Sequence, residues 1–187
     1  DIYWRLIFDG ARHASPLSNP AIRERTILLD GWSKAYAMTG WRLGFGVMRP
    51  DLAEQVARLM INSISCTPSF VQIAGVAALE GDQAPVDEMR ERFDRRRKHI
   101  VKLLDAIPGV SCPLPQGAFY VFPDVSSFGR PCAEIAENAL MEGGVACLAG
   151  TSFGPSGEGF LRFSYAASLE DIEEGIARFR KTLEGLQ

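Results

Sequence analysis

The longest helical pattern in the chain separates two parts and most constrains the fold. Between Pro85 and the pair Pro108-Gly109, apolar residues return at helical spacing, namely Met89, Phe93, Ile100, Leu103, Leu104 and Ile107. A continuous helix of about twenty residues is long for one compact domain. We therefore predict two domains, one over residues 1–84 and one over residues 85–187 that begins with this connecting helix.

The two parts differ in their element patterns. In the first, short apolar runs predict strands and longer periodic runs predict helices, which indicates an α/β arrangement; the strands are at 2–8, 26–29 and 43–48, and the helices at 50–60 and 69–79. The run at 26–29 is predicted to be a buried strand. In the second, short strands separated by glycine and proline indicate an α+β arrangement, with strands at 110–112, 119–122, 145–148 and 159–165 and helices at 133–141 and 169–186.

The charge balance argues against a nucleic acid partner. The 187 residues contain Lys+Arg 20 and Asp+Glu 23, a formal net charge of -3, so no general field attracts phosphate backbones. The one basic cluster, residues 90–99, spreads around a predicted helix among acidic residues and is expected to be a solvated face. No apolar run approaches the roughly 18 residues that a membrane-spanning helix needs.

Cysteine and histidine positions predict neither a metal site nor a disulfide. The four cysteines are scattered without a close pair or a nearby histidine; they are Cys66, Cys112, Cys132 and Cys147. This pattern indicates reduced thiols and a cytoplasmic protein. The two histidines, at positions 13 and 99, receive no predicted role.

One short segment combines several groups suited to a phosphorylated carbonyl compound. Lys34 follows a predicted strand in an aromatic neighbourhood, where partial desolvation favours an amine that attacks a carbonyl. Arg42 lies eight residues later, and Ser33 and Thr39 add hydroxyl groups. Arginine suits a bidentate grip on phosphate. Taken alone, Lys34 would more simply be a solvated loop lysine, because lysines are mostly exposed.

The segment SKAYAMTGWRLGFG resembles the lysine segment of the class I and II aminotransferases, which are pyridoxal-phosphate enzymes of fold type I. The resemblance implies that Lys34 is the catalytic residue and binds pyridoxal 5'-phosphate covalently. It also implies that Arg42 binds the cofactor phosphate, with Ser33 as a further phosphate ligand. From the residues alone, Ser33 could equally close the turn before Lys34.

Three other segments are similar to the same family. DIYWRLIFDG resembles the segment whose tyrosine donates a hydrogen bond to the cofactor's ring hydroxyl, which would be Tyr3. GAFYVFPD resembles a strand that lines the substrate pocket, and GEGFLRFSYAAS resembles the segment whose arginine binds the substrate α-carboxylate, which would be Arg162. Without the resemblance, Tyr3 would be a core residue and Arg162 a member of a surface ion pair.

The resemblance implies that the chain is the C-terminal half of a fold type I enzyme. It would comprise the end of the large mixed-sheet domain, the long connecting helix and the small α+β domain. The family's ring-nitrogen aspartate lies three residues before the tyrosine, whereas Asp1 lies two before Tyr3. We therefore expect that aspartate, and the phosphate-binding helix N-terminus, to precede residue 1, and the chain alone to be inactive.

The implied reaction moves an amino group between an amino acid and a 2-oxo acid. The segment AMTGWR leans toward the aspartate branch of the family, and ISCTPSF at 64–70 resembles a loop that reaches a second subunit, so a homodimer is expected for the intact protein. Two alternatives stay open at this stage. One is a cofactor-sensing domain of a transcriptional regulator, and the other is a pyridoxal-phosphate-dependent lyase of the same fold.

Overall fold

The computed structural model of the chain describes residues 1–186 and divides into two compact units, Asp1–Arg90 and a second that begins at Glu91. The helices are α1 (Pro20–Arg23), α2 (Pro50–Ser63), α3 (Ser69–Glu80), α4 (Ala84–Asp105), α5 (Cys132–Met141) and α6 (Leu169–Glu184). The strands are β1 (Leu28–Gly31), β2 (Gly44–Val47), β3 (Tyr120–Val121), β4 (Leu148–Ala149) and β5 (Leu161–Ser164). The predicted long helix is confirmed as α4, whose 22 residues continue from the first unit into the second.

The sheet of the first unit consists of β1 and β2 in antiparallel register, from Leu28 opposite Val47 to Gly31 opposite Gly44. The prediction of a buried strand at 26–29 was wrong on two counts. The strand begins two residues later, and Ile27 and Leu29 are 54% and 69% exposed. A two-stranded sheet cannot by itself cover either of its faces, so its apolar side chains remain at the surface.

The prediction of a strand at 2–8 was also wrong, because residues 2–5 form turns. The amide of Trp4 donates to the carbonyl of Asp1 (3.0 Å), and the amide of Leu6 donates to that of Tyr3 (2.8 Å). Apolar and aromatic residues favour a strand only where a neighbouring strand accepts their backbone groups. Here the amides of Trp4 and Leu6 bond within the segment, Ile7 forms only an isolated bridge, and Leu6 and Phe8 bury their side chains in the first unit.

The helices α2 and α3 of the first unit are amphipathic or apolar, yet they expose much of their apolar surface. Exposed large apolar side chains on or next to them are Leu59, Met60, Ile61, Ile64, Phe70, Ile73, Val76 and Leu79. Only Val71 and Gly75 of α3 are buried, and no residue of α2 is. The first unit therefore presents an extended apolar surface.

The second unit has a closed core around a three-stranded antiparallel sheet of order β3-β5-β4. Its core residues come from α4, α5, α6 and the sheet; the most deeply buried are Leu104, Val125, Cys132, Ile135, Ala139, Leu161, Tyr165 and Phe179. The strand predicted at 110–112 was wrong, since Ser111 forms only an isolated bridge with Asp124. Pro113 and Pro115 follow it and have no amide hydrogen to extend a ladder.

The last helix shows how local sequence signals fix an element of this unit. The hydroxyl of Ser168 accepts a hydrogen bond from the amide of Asp171 (3.0 Å) and caps the N-terminus of α6, as predicted. Ile172, Ile176 and Phe179 follow at helical spacing and are buried. This face of α6 covers the sheet and closes the core. The ring centroids of Phe179 and Phe163 are 5.0 Å apart.

Candidate functional site

The pairing of β1 with β2 brings Lys34 and Arg42 to one end of the first unit's sheet. Gly31 and Gly44 are the last paired residues of the two strands. The loop of residues 32–43 therefore begins and ends at the same end of the sheet. Lys34 lies three residues after β1, and Arg42 lies two residues before β2. A primary amine and a guanidinium are thus carried by one closed loop.

Glycine is required where this loop begins. A Cβ atom added to Gly31 would lie 2.7 Å from the carbonyl oxygen of Leu43 and 3.1 Å from the Cα atom of Gly44. Contacts this short with backbone atoms cannot be relieved by a side-chain movement. Gly31 thereby allows the two strands to converge directly before Lys34.

Trp32 fastens the loop to helix α3. Its backbone amide donates to the carbonyl of Leu43 (3.2 Å), and its indole Nε1 donates to the carbonyl of Gly75 on α3 (3.1 Å). A side chain on Gly75 would meet the side chain of Leu43 and the Trp32 ring, so a glycine lets the helix approach. The loop that carries Lys34 is consequently attached to a helix as well as to the sheet.

Lys34 and Ser33 lie in the turn of residues 33–36, and both are half-buried. The turn is held by the amide of Tyr36, which donates to the carbonyl of Trp32 (3.1 Å), and by the fully buried Ala35. Half-burial limits the conformations of the lysine stem. This arrangement differs from the freely solvated loop lysine that the residue type alone would suggest.

Arg42 follows a short 3-10 helix at Thr39–Trp41 and has a left-handed backbone (φ 54°, ψ 43°). One guanidinium nitrogen, Nη1, donates to the carbonyl of Thr39 (2.8 Å), and the side chain is otherwise exposed. This bond uses only part of the donor capacity of the guanidinium. Its other N–H groups can bind an anion.

Tyr3 lies in the N-terminal turn and is half-buried. The turn runs beside β1: the backbone nitrogen of Asp1 donates to the carbonyl of Leu29 (3.4 Å), and Ile2 Cδ1 lies 3.6 Å from the position of a Cβ on Gly31. The structure thus brings the segment of Tyr3 next to the strand that leads to Lys34.

Arg162 belongs to the second unit, where it is half-buried on β5. Its Cζ atom lies 4.3 Å from the ring centroid of Tyr120 and 4.3 Å from that of Phe153. The surface ion pair that the residue type alone would suggest is not formed among residues 1–186. Sequence reasoning did not single out either ring; the aromatic alternation in GAFYVFPD was a signal for Tyr120, whereas Phe153 lies in a glycine-rich loop without one.

A family model described as aminotransferase class I and II matches residues 1–179. The chain belongs to this family. Among similar proteins, an aspartate aminotransferase of Pyrococcus abyssi is 39% identical over 185 residues, covering 98% of this chain and 47% of the relative. An aromatic-amino-acid aminotransferase 2 of Thermococcus litoralis is 36% identical over 186 residues, covering 98% and 48%.

Solved structures agree with the family assignment. The α/β fold matches an aromatic aminotransferase from Pyrococcus horikoshii OT3 with a TM-score of 0.94 and 38% identity, covering 98% of this chain and 49% of that one. It matches the aspartate aminotransferase from Rhizobium meliloti with a TM-score of 0.91 and 34% identity, covering 98% and 48%. The chain spans about half the length of the relatives that it matches.

Residues 1–186 contain no group of three or more His, Cys, Asp or Glu side chains arranged to hold a metal ion. None of its helices combines the length and apolar character needed to cross a membrane. All four cysteines are free thiols, with Cys66 exposed and Cys112 and Cys132 buried.

Proposed function

We propose that the whole protein containing this chain is a pyridoxal-phosphate-dependent aminotransferase that moves an amino group between an amino acid and a 2-oxo acid. One observation carries the proposal: in a chain of this family, the β1–β2 register puts Lys34 and Arg42 on one loop at one end of the sheet. The chain would supply part of the active site, and relatives about twice as long indicate the size of the whole enzyme.

The donor groups of the loop fit pyridoxal phosphate chemically. The amine of Lys34 suits the aldehyde carbon, and the guanidinium of Arg42 keeps N–H groups available for a phosphate oxygen. The hydroxyl of Ser33 would add a phosphate contact, and the phenol of Tyr3 would donate to the ring oxygen. When bound, the cofactor supplies an electron sink that weakens the substrate's Cα–H bond.

The residues of the chain would then divide the work of binding and proton transfer. Lys34 would hold the cofactor before the amino acid arrives, and its released amine would move a proton from the substrate Cα. Arg162 would bind the α-carboxylate and so fix the direction in which the Cα–H bond points. Arg42 and Ser33 would keep the phosphate stationary during the transfer.

The substrate and the partner belong to this proposal as well. Relatives named for aspartate and for aromatic amino acids support an amino acid of one of these two kinds. We propose a homodimer for the whole protein, which the exposure of Ile64 and Phe70 at the ends of the 64–70 segment supports. A reducing compartment such as the cytoplasm would suit the free thiols.

A matched pair of lysine variants in the whole protein tests the proposed activity. Lys34→Ala should lower the rate of transamination by about a thousandfold or more, because the residue acts both as a nucleophile and as an acid-base group. Lys102→Ala, at an exposed position on α4, should leave the rate unchanged. Activity of Lys34→Ala at the wild-type level would overturn the assignment of Lys34.

A further inference from the structure

Within residues 1–186, the guanidinium of Arg162 is held by aromatic rings and by no hydrogen-bond acceptor. Its Cζ atom lies 4.3 Å from the ring centroid of Tyr120 and 4.3 Å from that of Phe153. Arg97 of the same unit shows the other way to hold an arginine: it is fully buried and donates to Asp94 Oδ1 (2.6 and 2.9 Å) and to the carbonyl of Pro115 (2.7 Å). Ring faces attract a cation without occupying its N–H groups.

The two rings reach Arg162 from opposite sides of β5. Tyr120 lies on β3, and Phe153 lies in the turn that follows β4. Tyr120 on β3 pairs with Ser164, which is two residues beyond Arg162 and therefore on the same face. On the other side, Leu148 of β4 pairs with Arg162, and the 3-10 turn that follows β4 ends at Phe153. The position of Tyr120 thus follows from the register of the sheet, and that of Phe153 from the turn that follows β4.

The surroundings of Arg162 favour an anion. A cavity of about 160 Å³ beside it is lined by Tyr120, Ala146, Cys147, Leu148 and Ser164, none of which is acidic. Burial raises the pKa of the Cys147 thiol to about 11, so this group is neutral at pH 7. The positive charge of Arg162 is therefore not neutralised within the cavity.

We propose that Tyr120 and Phe153 are positioning residues, which hold the guanidinium of Arg162 by their ring faces so that its N–H groups remain available to a carboxylate. An arginine ordered before binding loses less conformational freedom when the ligand arrives. An acidic partner would order the side chain equally well but would compete with the ligand. That the carboxylate is the α-carboxylate of an amino acid rests on the proposed function.

The test uses the full chain, labelled with nitrogen-15, and propionate as a simple carboxylate. The Nε–H signal of Arg162 is assigned by its loss in Arg162→Lys, and its motion is measured by relaxation without ligand. In wild type we expect restricted motion and a ring-current shift. Tyr120→Ala and Phe153→Ala should each mobilise the group and weaken propionate binding by roughly three- to tenfold, which is the effect of freeing one long side chain.

Two controls separate positioning from general damage. Tyr120→Phe keeps the ring face and should retain wild-type motion and affinity. Phe70→Ala removes a ring with similar exposure in the first unit (67% against 53% for Phe153) and should change neither. Unfolding curves of each variant show whether the second unit remains folded.

Unchanged motion and unchanged propionate affinity in both ring variants would overturn the proposal. The proposal would also be overturned if Tyr120→Phe mobilised the guanidinium and weakened propionate binding as much as Tyr120→Ala does. These outcomes do not depend on catalysis. If the whole protein had no transaminase activity, the proposed function would be wrong but the role of the two rings would stand. If the enzyme were active and its carboxylate binding did not depend on the rings, the proposed function would stand and the role of the rings would be wrong.

Discussion

The two units of the chain use apolar residues in opposite ways. The second unit buries them in one cluster that joins its sheet to α4, α5 and α6. The first unit buries few and exposes Leu29, Phe45, Ile61, Phe70 and Ile73, among others, on its strands and helices. Burial of apolar surface is the main source of folding free energy. The second unit is thus expected to account for most of the stability of the chain.

The candidate site residues are also divided between the two units. Lys34 and Arg42 lie on a loop tied to the sheet and α3 of the sparsely buried unit. Arg162 lies on the central strand of the well-packed unit, between β3 and β4. The surroundings of Arg162 therefore need only the second unit to be ordered, whereas the loop that carries Lys34 depends on elements whose apolar outer surfaces are exposed.

The largest expected effect breaks the core of the second unit. Phe179→Ala removes a fully buried ring from α6 and should lower the free energy of unfolding by about 3–5 kcal/mol. Phe70→Ala, on the exposed surface of α3, should change it by less than about 0.5 kcal/mol. Chemical denaturation followed by circular dichroism measures both. Equal losses for the two variants would contradict the contrast between the units.

A smaller effect is expected from the buried arginine of the second unit. Arg97→Met should cost about 2 kcal/mol, because Asp94 and the carbonyl of Pro115 lose a donor. The cost stays below that of a fully buried pair since Asp94 is partly exposed and keeps its bond to Lys98. Arg178→Met breaks the exposed pair with Glu174 and should cost at most about 0.5 kcal/mol. The same denaturation assay decides between them, and a larger loss for Arg178→Met would reverse the prediction.

Acid should weaken the hydrogen bonds that the Glu158 carboxylate accepts, one of them from Cys132 at the start of α5. Hydrogen bonds from the amides of Cys132 and Gly159 hold the pKa of Glu158 below its usual value of 4.5. Because the folded pKa is the lower one, this stabilisation is complete above the unfolded pKa and is lost as the pH falls through the folded pKa. Glu158→Gln should be less stable than wild type at pH 7, and the difference should shrink below pH 4.5. A difference that is constant with pH, measured from melting temperatures, would refute the role of the carboxylate.

The smallest effect on stability should come from the apolar surface of the first unit. Ile73 is 70% exposed on α3, so Ile73→Ser should leave the unfolding midpoint nearly unchanged. The same change should reduce self-association of the chain, since exposed apolar patches promote it. Sedimentation velocity measures this as a shift toward the monomer. A large loss of stability with unchanged association would show that Ile73 is part of a core.

Much of the fold could be predicted where local signals suffice. The helical period predicted α4 and α6, and Ser168 marked the start of α6, because helix contacts and caps lie within a few residues of each other. The predictions that failed are the strands at 2–8, 26–29 and 110–112, which were based on runs of apolar residues. Strand pairing and burial depend on distant partners, and a run of apolar letters does not specify them.

The residues of the candidate site also differ in whether local sequence signals predict them. Lys34, Ser33 and Arg42 could be selected from one continuous segment whose spacing the sheet register then brings together. Tyr120 and Phe153 could not be linked to Arg162 from sequence. Their contact depends on the pairing of β5 with two strands that are distant in the chain, and on a loop whose turn the glycines do not predict.

Borohydride trapping tests whether Lys34 and Arg42 form a site for a phosphorylated aldehyde. The chain is incubated with pyridoxal phosphate or with pyridoxal, which lacks the phosphate, then reduced, and modification of each lysine is measured by mass spectrometry. We predict that pyridoxal phosphate modifies Lys34 in preference to Lys98, Lys102 and Lys181, and that pyridoxal or Arg42→Ala abolishes this preference. Equal modification of all four lysines by pyridoxal phosphate would contradict the account.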